Sequence, residues 1–323
     1  MVAAASTLAN DIDLDTCDLV SWHFDNLEID QLVPALWARA GRARPPIVHH
    51  LHTLAVTLFR DHVPAPQWDN RVQQAINQAN GNVYFGQYAR DGVTGAAGVP
   101  AGVAWLPTTI PPDTPPVARP TLAAALETPP GRPVISLYGY AAPWKDAALL
   151  HAALTRMRAP ARIVLAGDFW NDPAQAGIDL RAFSTSPAQV GHSELVVVPG
   201  YLGATDRAAL VCASVAGVFP YRPHPSFQGS GAIADYLAHG VPMIATNIAN
   251  MAELVGDAGH IVPAGDPQAL ADALDTVASG HPATTALAQR AAARAGRFTA
   301  QAHAARCLTV YQQVLDQHRR NIT

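Results

Sequence analysis

The chain is short of cysteine, of charge and of long apolar runs, and each shortage argues against a class of protein. Only three cysteines occur in 323 residues, Cys17, Cys212 and Cys307. They are odd in number, far apart, and form no Cys-x-x-Cys pair, which argues against a disulfide framework or a zinc site and for a reducing, cytoplasmic location. Charged residues make up 14% of the chain, against roughly 25% in an average soluble protein. With hydrophobic residues at 49%, a large core is easy to build and disorder is not expected. A net charge of −4 gives a phosphate backbone no global attraction, so no nucleic-acid partner is expected. No apolar run approaches the ~20 residues of a transmembrane segment. The opening stretch MVAAASTLANDIDLD has no basic region and does not read as a signal peptide.

What the chain has is a strand-and-helix rhythm on either side of a proline-rich stretch. That stretch, IPPDTPPVARPTLAAALETPPGRP, begins at Ile110 and ends at Pro133. Proline removes backbone donors and disfavours helix before it, so the segment 111–133 reads as a linker with one short helix near Leu122. The expected division is an N-terminal domain 1–110, a C-terminal domain 134–298, and a last helix 299–323. In the C-terminal part, strands are expected at 134–138, 163–166, 195–198, 217–219, 243–245 and 260–262. Helices are expected between them, at 144–157, 205–213, 231–238 and 267–278. Short continuous apolar strands alternating with amphipathic helices specify an α/β fold whose parallel sheet is covered on both faces. Ligands of such sheets bind beyond the carboxyl ends of the strands. The N-terminal part repeats the rhythm more weakly, with strands at 19–22, 47–50, 83–85 and 103–106.

The segment richest in chemistry is PSFQGSGAIADYLAHGVP, residues 225–242. Gly229, Ser230 and Gly231 form a turn that opens a helix, and a helix N-terminus offers free N–H groups and a positive dipole end to phosphate. Asp235 follows one turn later, where a carboxylate can accept hydrogen bonds from ribose hydroxyls. The stretch YGYAAPWK, 138–145, brings Gly139 and then Lys145 to the start of a helix, a point charge for a diphosphate. The plain alternatives are a turn glycine, a solvated aspartate and an exposed lysine. Among His49, His50 and His52, a zinc site is not expected. The three are too close together, and strand alternation sends His49 and His50 to opposite faces.

Four segments in this order, 138–145, 163–168 (IVLAGD), 225–242 and 253–263 (ELVGDAGHIVP), resemble the C-terminal domain of family 4 of the retaining glycosyltransferases. The resemblance covers 134–298. It implies a GT-B fold, two Rossmann-like parallel-sheet domains, and transfer of a sugar from a nucleoside diphosphate sugar to a hydroxyl or amine of a small-molecule or glycan acceptor. It implies retention of configuration, no cofactor and no metal, and leaves UDP or GDP open. In the N-terminal part, PPIVHHLHT resembles the family strand whose final histidine sits near the donor sugar, here His52.

Three departures from the family pattern stand out. The first glutamate of the Glu–seven residues–Glu motif is replaced by Phe227, with Gln228 beside it; Gln228 can hydrogen-bond a sugar hydroxyl but carries no charge. Asp235 stands for the second glutamate. The family's Gly-Arg is Gly139–Tyr140, and Arg222 is the candidate to replace the missing guanidinium. The N-terminal domain lacks the family's first strand–helix units, so a second copy of the chain is expected to cover the exposed edge. The alternative reading is a catalytically degenerate GT-B subunit that binds nucleotide or a partner transferase. An epimerase of the same fold ranks below both, because its acid–base carboxylates are missing.

Overall fold

The computed structural model describes residues 2–14, 16–24, 33–34, 36–37, 45–52, 79–93, 98–140, 142, 144–168, 187–224, 227 and 229–322. The chain runs α1 (Val2–Asp11), β1 (Val20–Phe24), β2 (Ile47–Leu51), β3 (Gly81–Tyr84), α2 (Gln87–Asp91), β4 (Ala101–Val103), α3 (Pro120–Leu126) and β5 (Val134–Tyr138). It continues with α4 (Ala147–Leu154), β6 (Arg162–Gly167), β7 (Ala188–Val190), β8 (Ser193–Pro199), α5 (Ala204–Ala213), β9 (Ser214–Phe219) and α6 (Gly231–Ala238). Last come β10 (Met243–Thr246), α7 (Met251–Val255), β11 (Gly259–Val262), α8 (Pro267–Ala278), α9 (Pro282–Arg294) and α10 (Ala300–Ile322). Among the described residues no helix is long and apolar enough to cross a membrane.

The fold forms two compact units. One comprises Met1–Trp105, Pro225–Gly229 and Gln301–Thr323; the other comprises Leu106–His224 and Ser230–Ala300. The first unit is built on a four-stranded parallel sheet in the order β1-β2-β3-β4. Strand β2 is buried along its whole length, as its β-branched start and central position require. Helix α10 lies on this sheet through Cys307, Val310 and Val314, which join Val48, Val83 and Ala104 in one core cluster. Two glycines permit the close approach. A Cβ on Gly81 would stand 2.5 Å from Val314 Cγ2, and one on Gly102 would stand 2.6 Å from Val310 Cγ2. A second cluster holds Ala5, Val33, Trp37 and Ile47, with Val20 and Trp22 packed against it. Trp37 Nε1 donates to Ala9 O at 2.9 Å, tying α1 into that cluster. Among the described strands, β1 pairs only with β2 and forms an edge.

The second unit carries a seven-stranded sheet in the order β11-β10-β9-β5-β6-β8-β7, parallel except for β7. The chain enters at β5, moves out through β6 and β8, then returns to β9 on the other side of β5. The strand order therefore reverses between β5 and β9, the place where doubly wound sheets bind ligands. Helices α4 and α8 pack together, as do α3 and α5. Leu149, Leu150 and Leu154 of α4 are buried, as are Leu270, Leu274 and Val277 of α8.

The proline-rich stretch departs from the linker expectation, since it belongs to the second unit. Its helix α3 buries Leu122 and Ala125. Arg119 fastens its start, giving N–H to Asp206 Oδ1 and guanidinium bonds to Tyr201 O and Pro199 O, all at 2.8 Å. Arg162 fastens its end, donating to Ala125 O at 3.3 Å and to Glu127 O while paired with Glu194 at 2.6 Å. The prolines deny the segment its own backbone ladder, and arginine side chains supply the bonds instead.

Candidate active site

Three neighbouring strands of the second unit each end in a glycine that turns the chain away at positive φ. Gly139 follows β5 at φ +105°, Gly167 ends β6 at +147°, and Gly200 follows β8 at +93°. The first two turns touch backbone to backbone: a Cβ on Gly167 would lie 2.4 Å from Gly139 O. Space opens beyond these turns. A cavity of about 170 Å³ is lined by Tyr138, Tyr140, Asp168, Tyr201, Leu202 and Arg207 along with Gly139 and Gly167. Tyr140 and Tyr201 expose 48% and 69% of their surface there, flat apolar faces suited to an aromatic or sugar ring. The Arg207 guanidinium lies 5.9 Å from the centre of the Tyr138 ring.

Lys145 is the only lysine of the chain. It stands just ahead of α4, whose first turn is capped by Asp146 accepting from Leu149 N at 2.9 Å. An isolated antiparallel bridge links Lys145 to Tyr221, just past the end of β9. Asp146 N–H donates to Pro220 O at 2.7 Å and Arg222 N–H to Trp144 O at 2.8 Å, so the loops after β5 and β9 are joined. The Lys145 ammonium reaches Tyr138 O at 3.3 Å, and a Cβ on Gly139 would sit 3.0 Å from it. Desolvation pulls its pKa down to about 7. Lys145 and Gly139 thus share one corner beside the switch point. Arg222 lies close by in sequence but its guanidinium pairs with Asp146 at 3.3 Å. Ser230 caps α6 by position only; its hydroxyl makes no capping bond and stands 3.5 Å from the Tyr221 hydroxyl. The N–H of Gly231 therefore starts a helix whose end is not closed by the serine. Gly229 is half-buried and falls in the first unit. Gln228 lies outside the described residues.

Asp235 departs from the ribose role implied by the resemblance. It is fully buried, and its carboxylate is consumed inside the unit. Oδ1 accepts from Thr108 Oγ1 at 2.7 Å and from Thr109 N at 2.6 Å. Oδ2 accepts from Thr109 Oγ1 at 2.8 Å and from the Tyr138 hydroxyl. Arg207 in turn donates to Thr109 Oγ1 at 2.8 Å. Burial, and then the Asp235 charge, push the Tyr138 phenol well above its ordinary pKa, so it stays a donor. Aspartate is one carbon shorter than the family glutamate, and this chain fills the position with its own Thr108–Thr109 donors.

His52, in the first unit, shares a hydrogen bond of 2.9 Å with His23 Nδ1 and packs on Phe85 with ring centres 4.4 Å apart. His50 stacks on His23 at 4.6 Å. Burial, followed by repulsion from neighbouring imidazoles, drops the His50 pKa to about 3, and His23 is lowered as well. The His50 ring is therefore neutral at pH 7. Sequence reasoning missed Arg207, Tyr201 and Asp168 as cavity residues. The available signal was the repeated pattern of a parallel strand ending in glycine and then a polar or aromatic residue, as in AGD and PGY.

The strand order and the cavity at the carboxyl ends of β5, β6 and β8 define a doubly wound α/β domain of the GT-B type. Residues 132–279, which belong to the second unit apart from Pro225–Gly229, match the family model described as glycosyl transferases group 1. Several solved structures resemble the whole chain at low identity. A glycosyltransferase from Rickettsia africae has a TM-score of 0.70 at 15% identity, over 97% of this chain and 81% of its own. Sucrose-phosphate synthase from Thermosynechococcus elongatus has a TM-score of 0.66 at 17% identity, over 98% and 77%. Anabaena HepE in complex with UDP and glucose has a TM-score of 0.65 at 19% identity, over 99% and 81%. No curated protein matches the sequence.

Proposed function

We propose that this glycosyltransferase-fold protein takes a sugar from a nucleoside diphosphate sugar, held at the carboxyl ends of β5, β6, β8 and β9, and passes it to an acceptor hydroxyl or amine with retention. The observation that carries the reading is the corner made by Lys145 and Gly139 beside a cavity faced with tyrosines, with Ser230 at the start of α6 reached through Tyr221, which bridges to Lys145. Each part has a physical task. When the glycosidic bond to the diphosphate breaks, negative charge grows on the leaving phosphate. The Lys145 ammonium and the Gly231 N–H at the positive end of α6 stabilise that charge. Tyr140 or Tyr201 stacks on the base, Asp168 takes base or ribose donors, and Arg207 adds positive potential. The roles that the resemblance gives His52 and Gln228, orienting the transferred sugar, form part of this proposal.

Anabaena HepE has been solved with UDP-glucose, which makes UDP-sugars the first donors to test here and GDP-sugars the second. The test incubates the full chain with each donor and measures released nucleoside diphosphate with and without an acceptor mixture. Release that disappears in Lys145→Ala supports transfer. The degenerate-subunit reading draws on one specific observation, the internal consumption of Asp235. It is favoured if nucleoside diphosphate binds but no donor turns over. The exposed edge at β1 adds a proposed second copy of the chain, and a monomer at all concentrations in analytical ultracentrifugation would remove it.

A further inference from the structure

The strongest unexplained cluster lies in the first unit, at His50, two residues before His52. One donor atom each from His50, His303 and Cys307 come within 4.8 Å of one another. His303 and Cys307 are one turn apart on α10, and His50 faces them from β2. About 250 residues separate the strand from the helix, so sequence spacing hides the group.

The hydrogen bonding prepares these atoms as ligands. His303 Nδ1 lies 2.9 Å from Trp105 O. A carbonyl only accepts, so the proton is on Nδ1 and Nε2 carries the lone pair, which accepts from the Cys307 thiol. That Nε2 faces Cys307 Sγ at 3.4 Å. His50 Nε2 lies 2.6 Å from the Tyr311 hydroxyl, which continues to Ser21 Oγ at 3.0 Å. His50 is 2% exposed, and among the described residues its Nδ1 has no partner. An imidazole fixed by a hydrogen bond on one nitrogen, with the other nitrogen bare, is the arrangement of metal-bound histidine. A purely structural cluster of this kind gains little: a buried ring nitrogen without a partner costs stability, and among the described residues no acidic side chain belongs to the group.

We infer that His50, His303 and Cys307 form a binding site for a thiophilic divalent transition metal of the Zn²⁺ class. Two neutral imidazoles and a thiolate suit such an ion, whereas Mg²⁺ and Ca²⁺ take oxygen. With Zn–N near 2.0–2.1 Å and Zn–S near 2.3 Å, neighbouring ligand atoms in a tetrahedron stand roughly 3.4–3.6 Å apart. The His303–Cys307 separation already meets that, and His50 needs to close about 1 Å. Binding displaces the thiol proton of Cys307 to solvent and leaves the fourth position to water. The ion would clamp α10 onto β2, on the sheet whose Gly81 and Gly102 already face Val314 and Val310 of that helix.

The test uses the full, untagged chain, stripped with a chelator and titrated with Co²⁺, whose thiolate charge-transfer absorption reports a sulfur ligand. The expected result is one Co²⁺ per chain with that absorption, displaced by Zn²⁺, and a higher melting temperature with Zn²⁺. Cys307→Ser should abolish the sulfur band, and His303→Ala should weaken binding by at least about tenfold. Absence of the sulfur band in the wild-type chain, or an unchanged band in Cys307→Ser, overturns the inference. Should the variants fail to fold, X-ray absorption of the Zn²⁺-loaded wild-type chain decides. A sulfur scatterer near 2.3 Å supports the site, and a shell of nitrogen and oxygen alone refutes it.

Discussion

Replacing Asp235 separates two roles that the sequence left indistinguishable. As a ribose ligand, Asp235 would matter for nucleotide affinity and little for stability. As an internal acceptor, it matters for stability first. Its four hydrogen bonds run from Thr108 Oγ1, Thr109 N, Thr109 Oγ1 and Tyr138 Oη, in a fully buried place. Asp235→Asn keeps one carbonyl oxygen for Thr108 and Thr109 N. Its amide then faces the Thr109 and Tyr138 hydroxyls, which can turn to accept. The loss is that of charge assistance on two bonds, about 2 kcal/mol. Asp235→Ala leaves the Thr109 N–H and three hydroxyls without that acceptor, and is expected to cost about 3–5 kcal/mol. Either is a large share of a total stability of roughly 5–15 kcal/mol. Urea unfolding of the full chain followed by circular dichroism measures the cost. Calorimetric titration with nucleoside diphosphate, well below the melting temperature, measures the affinity of what remains folded. The expected result for Asp235→Asn is an earlier unfolding midpoint with affinity within about twofold of wild type. An unchanged midpoint with affinity lost would refute the structural role and restore the ribose contact.

The remaining predictions concern the corner itself. Lys145, with its pKa lowered to about 7, must take up a proton when a diphosphate binds above that pH. Affinity is expected to fall by up to about tenfold per pH unit as pH rises past 7, with proton uptake visible as a buffer-dependent binding heat. The same depressed pKa means that between about 7 and 10.5 the unfolded chain holds a proton the folded chain lacks. Stability of the free protein should therefore rise with pH across that window, and Lys145→Met should flatten the slope in a series of thermal melts. Because Lys145 is the only lysine, an amine-selective acylating reagent at pH 7.5 should modify it well ahead of an ordinary lysine. Protection by nucleoside diphosphate is read by peptide mass mapping. Gly167→Ala forces a Cβ to 2.4 Å from Gly139 O at a φ of +147°, so it should cost about 1–3 kcal/mol in stability and weaken nucleotide binding in the same titration.

The second unit was legible because its strands are continuous apolar runs between helices of clear period. The helices 231–238 and 267–278 match α6 and α8 end to end, and the strand at 134–138 matches β5. The first unit was less legible for a packing reason. Gly81 and Gly102 carry no apolar side chain to mark a strand, yet they belong to β3 and β4, where α10 packs against the space their missing side chains leave. Strands expected at 83–85 and 103–106 therefore begin earlier in the structure. Helix α9 was missed because PATTALAQRAAAR buries only Leu287 and Ala291, too few apolar positions to mark a period. Within the site, Gly139 and Lys145 were readable from one segment, and they meet. Asp235 was readable as a carboxylate near a helix start, but its partners Thr108 and Thr109 lie more than a hundred residues earlier. The same limit hid Cys307: alone in sequence, it meets His50 and His303 only through the topology.

The most direct measurement is calorimetric titration of the full chain with UDP, GDP and their sugars, in parallel for wild type and Lys145→Ala. The account predicts that one nucleoside diphosphate binds at one site per chain and that the substitution weakens it at least about tenfold, the loss of one charge-assisted contact. Absence of binding by any nucleoside diphosphate or nucleotide sugar, or binding that is indifferent to Lys145, would contradict it.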